Sequence, residues 1–408
     1  MRVLLINDHG RFYGGAEMQV LTLRDALLDL GHDVRLFSSN AEMLPGFTQE
    51  ADVTCHGRTD IAQVALQTVN PSAWHALRRE LREFPPDVVH IRSFLWQLSP
   101  LILPLLKTVP VLHVAPTYKE ICPNGLKLRP GRVVCTAPAG PVCWRDGCVS
   151  VKTYASARLQ MALLARWRNA IDVTAALSER AATAFRASGW QDVEVLHNPV
   201  DYRPAFAAPA DVPTLAYAGR LAPEKGVDLL IEAFIEASRS VPGARLLIAG
   251  TGPCEAKLRA QGEKANIQFL GHLPAGELDA ALAPAWLQAI PSLWDEPFGN
   301  VTLEAMMRGT AVIGSDRGAT PEIVGDGAAG RIVPSRDVSA WRDALVNLLS
   351  DRTLCVEMGR RGRERATTVF SRKAYTAKVL SLYRKARQNY LVSNGLSESS
   401  PNQLERQQ

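Results

Sequence analysis

Short apolar runs alternate with helical patterns twice along this chain, and the alternation stops and restarts near its middle. Arg2–Ile6, Val34–Phe37, Asp87–Ile91, Pro110–Val114, Ile171–Ala175 and Val193–Leu196 read as strands. Helical patterns at 15–30, 72–83, 95–106, 152–170 and 178–188 separate them. His197-Asn198-Pro199-Val200-Asp201 and the Pro/Ala-rich stretch Pro204–Pro213 then read as a linker. Beyond it, Thr214–Ala218, Arg245–Ala249, Ile267–Leu270, Trp286–Ile290 and Thr310–Gly314 resume the strand pattern, with helices at 227–240, 254–262, 276–283, 300–308 and 337–349. Strands alternating with helices specify a parallel, doubly wound sheet. Two such blocks of similar size predict two α/β domains, over 1–200 and 201–370, facing each other across a cleft.

The 408 residues, at roughly 150 per domain, allow two or three such units. A hydrophobic fraction of 47% is enough to fill their cores. The polar tail at 392–408 lacks an apolar pattern and is expected to be disordered. A net charge of +5 is mildly basic, but no stretch has the cation density of a nucleic-acid-binding arm, so no nucleic-acid partner is expected. The apolar start is cut short by Asn7, Asp8 and His9, unlike a signal peptide, and no run approaches the length of a spanning helix. The expected location is the cytoplasm, with peripheral contact at the inner membrane left open.

Four segments carry residues suited to an anionic, hydroxyl-rich ligand. Gly14-Gly15-Ala16-Glu17 lies between the first strand and first helix, where a glycine amide at a helix N-terminus can meet a phosphate; a tight turn is the plainer reading. Gly219-Arg220 with Lys225-Gly226 follows the first strand of the second domain, at the strand end where open α/β sheets bind ligands. Two solvated surface cations are the alternative there. Gly250-Thr251-Gly252-Pro253 is a second glycine loop on the same sheet edge. In Glu296-Pro297-Phe298-Gly299-Asn300-Val301-Thr302-Leu303-Glu304, Asn300 is expected to cap a helix closed by Gly309. The amides of Phe298, Gly299 and Asn300 are expected to face the cleft. Each carboxylate can accept two hydroxyl hydrogen bonds, as a sugar diol requires.

Taken in order, these segments and Gly318-Ala319-Thr320-Pro321-Glu322 resemble glycosyltransferase family 4 over about residues 1–385. The resemblance implies the GT-B fold, two Rossmann-like domains with the donor site in the second and a C-terminal helix, about 371–388, returning to the first. It implies a retaining transfer of a hexose from a nucleotide-diphosphate sugar to a hydroxyl acceptor, such as a saccharide or lipid-linked saccharide in polysaccharide or glycolipid synthesis. Arg220 and Lys225 would hold the diphosphate, Glu304 the ribose and Glu296 the hexose beside Phe298, Gly299 and Asn300. Gly15, Gly219, Gly250 and Gly252 would line the donor. No cofactor and no divalent metal is implied, because cationic side chains stand in for the metal. A nucleotide-sugar 2-epimerase and a non-catalytic partner subunit are the other readings the pattern admits.

Two features fit the family pattern less directly. Many members carry a His-Asp pair at the end of the fourth strand. Here either His113 supplies that group, as a catalytic residue, or Pro116-Thr117 occupies its place, with Lys119 or Glu120 as compensating groups. Cys122, Cys135, Cys143 and Cys148 fall in one Gly/Pro-rich loop without the paired spacing of a structural zinc site. They are either a metal or redox staple or free thiols. The helix at 152–170, with Arg158, Arg166 and Arg168, either packs on the sheet or touches anionic lipid.

Overall fold

The computed structural model describes residues 1–11, 15–43, 46–201, 209–325, 327 and 329–396. Gly14, the first half of the Pro/Ala-rich linker stretch and the tail beyond Leu396 lie outside the described residues.

The first sheet contains β1 (Arg2–His9), β2 (Asp33–Ser39), β3 (Val53–Cys55), β4 (Val88–Ile91) and β5 (Val111–Ala115). A two-stranded hairpin, β6 (Leu128–Arg129) and β7 (Val133–Val134), lies in the loop that follows. The main sheet then resumes with β8 (Val173–Ala176) and β9 (Glu194–Val195), in the order β3-β2-β1-β4-β5-β8-β9. The second sheet is built from β10 (Thr214–Ala218), β11 (Arg245–Ala249), β12 (Ile267–Gly271), β13 (Leu287–Ile290), β14 (Ala311–Ser315) and β15 (Gly330–Val333), ordered β12-β11-β10-β13-β14-β15. All pairings within the two main sheets are parallel. These strands are buried on both sides, which is why β4 and β5 read as near-continuous apolar runs, each interrupted by one histidine, rather than as alternation.

In each sheet the strand order reverses beside its first strand, between β1 and β4 and between β10 and β13. Such a reversal leaves a crevice at the strand C-termini. The loops after β10, β11, β13 and β14 therefore gather along one edge, and the ends of β1, β4 and β5 gather along the edge of the other domain.

The helix Arg372–Ser393, capped by the Ser371 hydroxyl at the Ala374 amide, lies against the N-terminal sheet. Tyr383 Oη is 2.9 Å from His90 Nδ1 on β4, Asn389 donates to the Asp172 carbonyl at 2.9 Å, and Arg372 donates to the Thr22 carbonyl at 2.9 Å. The Val200 amide donates to the Phe370 carbonyl at 2.9 Å, so the two segments that pass between the domains run side by side. One apolar cluster joins Val3, Leu5 and Val114 of the first domain to Phe298, Met306, Phe370 and Tyr383.

Candidate active site

Loop geometry after β10 and β11 comes first, because it positions the cations. The Gly219 amide donates to Ala249 at 3.0 Å and the Leu221 amide to Thr251 at 2.9 Å, so the two loops are laced backbone to backbone. Gly250 makes this possible: its φ is +133°, and a Cβ there would stand 1.9 Å from the Gly219 carbonyl oxygen. Gly252 lies against Leu221 in the same lacing. These three glycines thus bring the two loops into direct backbone contact.

Lys225 ends the short turn Pro223–Lys225, and its ammonium lies 2.7 Å from Glu296 Oε1, both side chains being 17% exposed. The other Glu296 oxygen accepts from Ser292 Oγ at 3.2 Å, and Lys225 also stands 5.8 Å from the Trp294 ring centroid. Arg220 pairs with Glu224 four residues on, and its side chain remains 62% exposed, so most of its donors are open to solvent. Glu296 is fixed from behind by the loop after β14. Gly318 (φ +58°) lies so close that a Cβ would fall 2.5 Å from the Glu296 amide nitrogen, and the Ala319 amide donates to the Glu296 carbonyl at 3.1 Å. The sequence elements Lys225, Glu296 and Gly318–Glu322, far apart in the chain, therefore meet at one place.

The helix Asn300–Arg308 starts beside this pair. Its cap is Gly299, in a left-handed conformation (φ +88°), which corrects the expectation that Asn300 caps it. Asn300 is the first helical residue, and its Oδ1 accepts from Asn198 Nδ2 at 2.9 Å. The first-turn amides of such a helix have no intrahelical acceptor and favour an anion. Phe298 is buried against the rings of His197, at 5.9 Å, and Phe370, at 6.2 Å, so it supports the loop rather than lining an open surface. Glu304 is half-buried on the same helix, between Leu303 and Ala305, which are buried.

The facing wall comes from the first domain. Tyr118 Oη donates to the Asp295 carbonyl at 2.8 Å, Ser178 Oγ to the Pro297 carbonyl at 2.7 Å, and Arg180 pairs with Asp295 at 3.2 Å. His197 lies 2.6 Å from Glu322, whose second oxygen accepts the Glu179 amide at 2.9 Å. Burial and the neighbouring Asp295 and Glu296 charges push the Tyr118 phenol up, so it acts as a neutral donor. Trp294, from the loop after β13 in the second domain, joins the apolar cluster of the first domain beside Tyr118. Sequence reasoning missed Tyr118, Ser178 and Trp294. The available signal was positional: each lies at or just beyond a strand's C-terminal end.

His113 is not on this wall. It is wholly buried inside β5, with Nδ1 3.2 Å from the Ile91 carbonyl and Nε2 3.1 Å from Glu120, between Phe94 and Trp190. Of the two alternatives for the family's histidine position, His113 is therefore the one held inside the core, with both ring nitrogens engaged. Pro116-Thr117 stands at the strand end instead, followed by Lys119, whose ammonium donates to the Pro123 carbonyl at 2.7 Å and lies 4.1 Å from the Trp96 ring centroid. Burial pushes this lysine down to about 8. Gly15 begins the helix Gly15–Asp29, at the end of the loop that follows β1.

The four loop cysteines are free thiols, Cys122 and Cys143 buried and Cys135 and Cys148 half-buried. Among the described residues no group of three or more His, Cys, Asp or Glu side chains is placed to hold a metal ion. What orders the loop is polar: Lys127 donates to Ala137 at 2.9 Å, and Arg132 forms a two-pronged pair with Asp228 of the other domain at 3.0 and 2.8 Å.

Comparison with known proteins agrees with this geometry. Residues 13–203 match the family model described as Glycosyltransferase Family 4, and residues 201–365 match Glycosyl transferases group 1. The chain is 29% identical over 314 residues to a glycogen synthase of Mycobacterium tuberculosis, covering 75% of this chain and 70% of the relative. It is 34% identical over 227 residues to a GDP-mannose-dependent alpha-(1-6)-phosphatidylinositol monomannoside mannosyltransferase of the same species, spanning 50% of this chain and 58% of that one. Among solved structures, a sucrose-phosphate synthase from Thermosynechococcus elongatus superposes with a TM-score of 0.71 at 21% identity, covering 94% of this chain and 98% of that one. Anabaena HepE, solved in complex with UDP-glucose, superposes with a TM-score of 0.65 at 16% identity, covering 94% and 99%.

Proposed function

This chain belongs to glycosyltransferase family 4, its two parallel-sheet domains form a GT-B fold, and on that premise we propose that it transfers a hexose from a nucleotide-diphosphate donor to a hydroxyl acceptor with retention at the anomeric carbon and without a divalent metal. The Lys225–Glu296 pair carries this reading. A cation and a carboxylate stand 2.7 Å apart in a half-buried cleft, between glycine-laced loops and the start of a helix. Lys225 and the exposed donors of Arg220 would hold a diphosphate whose charge grows as the sugar departs, a role their positive charge supports. Glu296 has lone pairs to spare beyond Lys225 and Ser292, so it can also accept a sugar hydroxyl. Glu304 stands one to two helical turns further on, where a ribose diol would meet it. The relative named for GDP-mannose and the neighbour bound to UDP-glucose support a nucleotide-diphosphate hexose as donor.

In the reaction, the bond between the anomeric carbon and the phosphate oxygen breaks, and the acceptor oxygen bonds to the same face of that carbon. The acceptor hydroxyl's proton passes to the departing diphosphate, whose oxygen lies on that face. The acceptor is a saccharide or lipid-linked saccharide, as in polysaccharide or glycolipid synthesis. The test is donor turnover in excess EDTA against a saccharide panel, with the product's anomeric configuration read by NMR. Activity that survives chelation and a product with the donor's configuration support the proposal. An inverted product, strict dependence on added metal, or a new sugar nucleotide formed without acceptor contradicts it.

A further inference from the structure

The helix Val151–Trp167 buries Ala157, Gln160 and Leu164 and turns the opposite face to solvent. At 100° per residue, Val151, Ala155, Leu159 and Ala162 fall on that outer face, with Lys152, Arg158 and Arg166 interleaved, and all are exposed. Val151 is 66% and Leu159 52% exposed, large values for aliphatic side chains on a helix that already has a buried face. Two segments bonded next to the helix carry further exposed apolar side chains. Trp144 (43% exposed) sits on the short helix Val142–Arg145, which joins this helix through the Val149 amide bond to the Cys143 carbonyl at 3.1 Å. Ile61 (91% exposed) precedes the helix Gln63–Leu66, whose Val64 carbonyl accepts from Ser156 at 3.0 Å. The acids beside the patch are already neutralised: Asp60 pairs with Arg58, and Asp146 with Arg129 at 3.1 Å. What remains is exposed aliphatic surface interleaved with Lys152, Arg158 and Arg166, with Trp144 and Arg145 exposed on the adjoining segment.

We propose that this face docks the protein on an anionic membrane, with the helix axis along the surface. Interleaved cations and aliphatic side chains with a flanking tryptophan match the boundary between headgroups and acyl chains. The cations match lipid phosphate, and Val151, Leu159, Ile61 and Trp144 match the acyl region below it. Arg158 also lines a groove of about 280 Å³ with Pro123, Pro141, Tyr154 and Met161. There the Tyr154 hydroxyl is buried without a hydrogen-bond partner among the described residues, and a headgroup phosphate would supply one. Among the described residues no helix is long and apolar enough to cross a membrane, so attachment would be by this face and reversible. The loop that forms the groove also carries Arg132, paired with Asp228 across the cleft, which puts the docked lipid surface beside the site.

The experiment is co-sedimentation of the full chain with large unilamellar vesicles of phosphatidylcholine alone or with 30 mole per cent phosphatidylglycerol (about a third anionic, a composition that gives a strong surface potential). Binding to the anionic vesicles and not to the neutral ones is expected. The triple variant Lys152→Gln, Arg158→Gln, Arg166→Gln should weaken binding by about a hundredfold, since each cation near such a surface contributes roughly fivefold. The double variant Val151→Glu, Leu159→Glu should abolish binding, while both variants keep the wild-type melting temperature and donor turnover. Absence of sedimentation with either vesicle, equal binding to both, or variants that bind like wild type overturns the proposal. So does a dimer in size-exclusion chromatography that the double variant dissociates, which would make this face an interface between copies.

Discussion

A lysine and a glutamate at 2.7 Å, each about one-sixth exposed, stabilise the fold only modestly, because both lose water to meet. On the proposed function their placement serves ligand chemistry, and the glycines around them give up backbone stability for close approach. Gly250 shows the constraint most sharply: Gly250→Ala would force a methyl group into the Gly219 carbonyl at a φ that alanine avoids. The expected cost is about 2 kcal/mol or more, read as a fall in urea midpoint, together with loss of donor-induced thermal stabilisation. A variant as stable and as responsive as wild type would show that the two loops are not laced as described. At this scale much was legible from the chain alone. Lys225, Glu296 and the glycines carry their chemistry in their identity and spacing. Tyr118 and Trp294 do not, since a tyrosine and a tryptophan near strand ends read as ordinary core residues. His113 is ambiguous for the converse reason: a histidine in an apolar strand reads either as chemistry or as core, and only the fold shows Glu120 and the Ile91 carbonyl at its nitrogens.

Among the elements, the C-terminal helix has the most distinctive energetics, because it rests on a buried histidine of the other end of the chain. His90 on β4 meets Tyr383 at 2.9 Å, and burial, helped by the Arg92 charge, lowers its pKa to about 3 from the ordinary 6.5. Below pH 6.5 the unfolded chain binds a proton that the folded state refuses, so stability is lost as pH falls from 6.5 toward about 3. Relative to a His90→Phe variant, wild type should lose about 2 to 3 kcal/mol between pH 7 and pH 4.5, measured by urea unfolding. An unchanged difference between the two proteins across that range contradicts the account of this contact. The strands β10 and β11 and the helix Asn300–Arg308 fall where the apolar pattern places them, because each is flanked by a glycine or proline that marks its end. The pattern did not reveal β3, three residues long, or β15, which opens on glycine. It also missed the helix Arg352–Val369, whose buried stripe of Cys355, Met358, Gly359, Gly362 and Ala366 is low in apolar bulk, while Leu354, Val356 and Val369 lie exposed off that stripe. The stretch 95–106, read as one helix, forms only the 3-10 turn Pro100–Leu106, since Pro100 and Pro104 each withhold an amide. The cap at Gly299 was invisible because asparagine is the better cap on propensity, and the left-handed backbone there is set by tertiary contacts.

At the scale of the molecule, the two domains are held together by part-buried polar contacts, by one apolar cluster shared between them and by Trp294, which packs into the core of the first domain. Tyr118–Asp295, Ser178–Pro297, His197–Glu322, Asn198–Asn300 and Arg132–Asp228 all cross the cleft. Each contributes on the order of 1 kcal/mol, so the domains can part without either unfolding, as an enzyme that must admit a nucleotide and release one requires. The two-domain plan was readable from the restart of the strand pattern after His197, whereas these crossing contacts were not, because they join residues 96 to 177 positions apart. The cleft has meaning only if its donor-side pair acts on the substrate. The most direct measurement is steady-state turnover of the best nucleotide sugar by wild type, Lys225→Ala and Glu296→Ala, each verified as folded by its melting curve. Losses of two orders of magnitude or more in both variants, about 3 kcal/mol of transition-state stabilisation, are predicted. Wild-type turnover in both variants would contradict the assignment of this cleft as the active site.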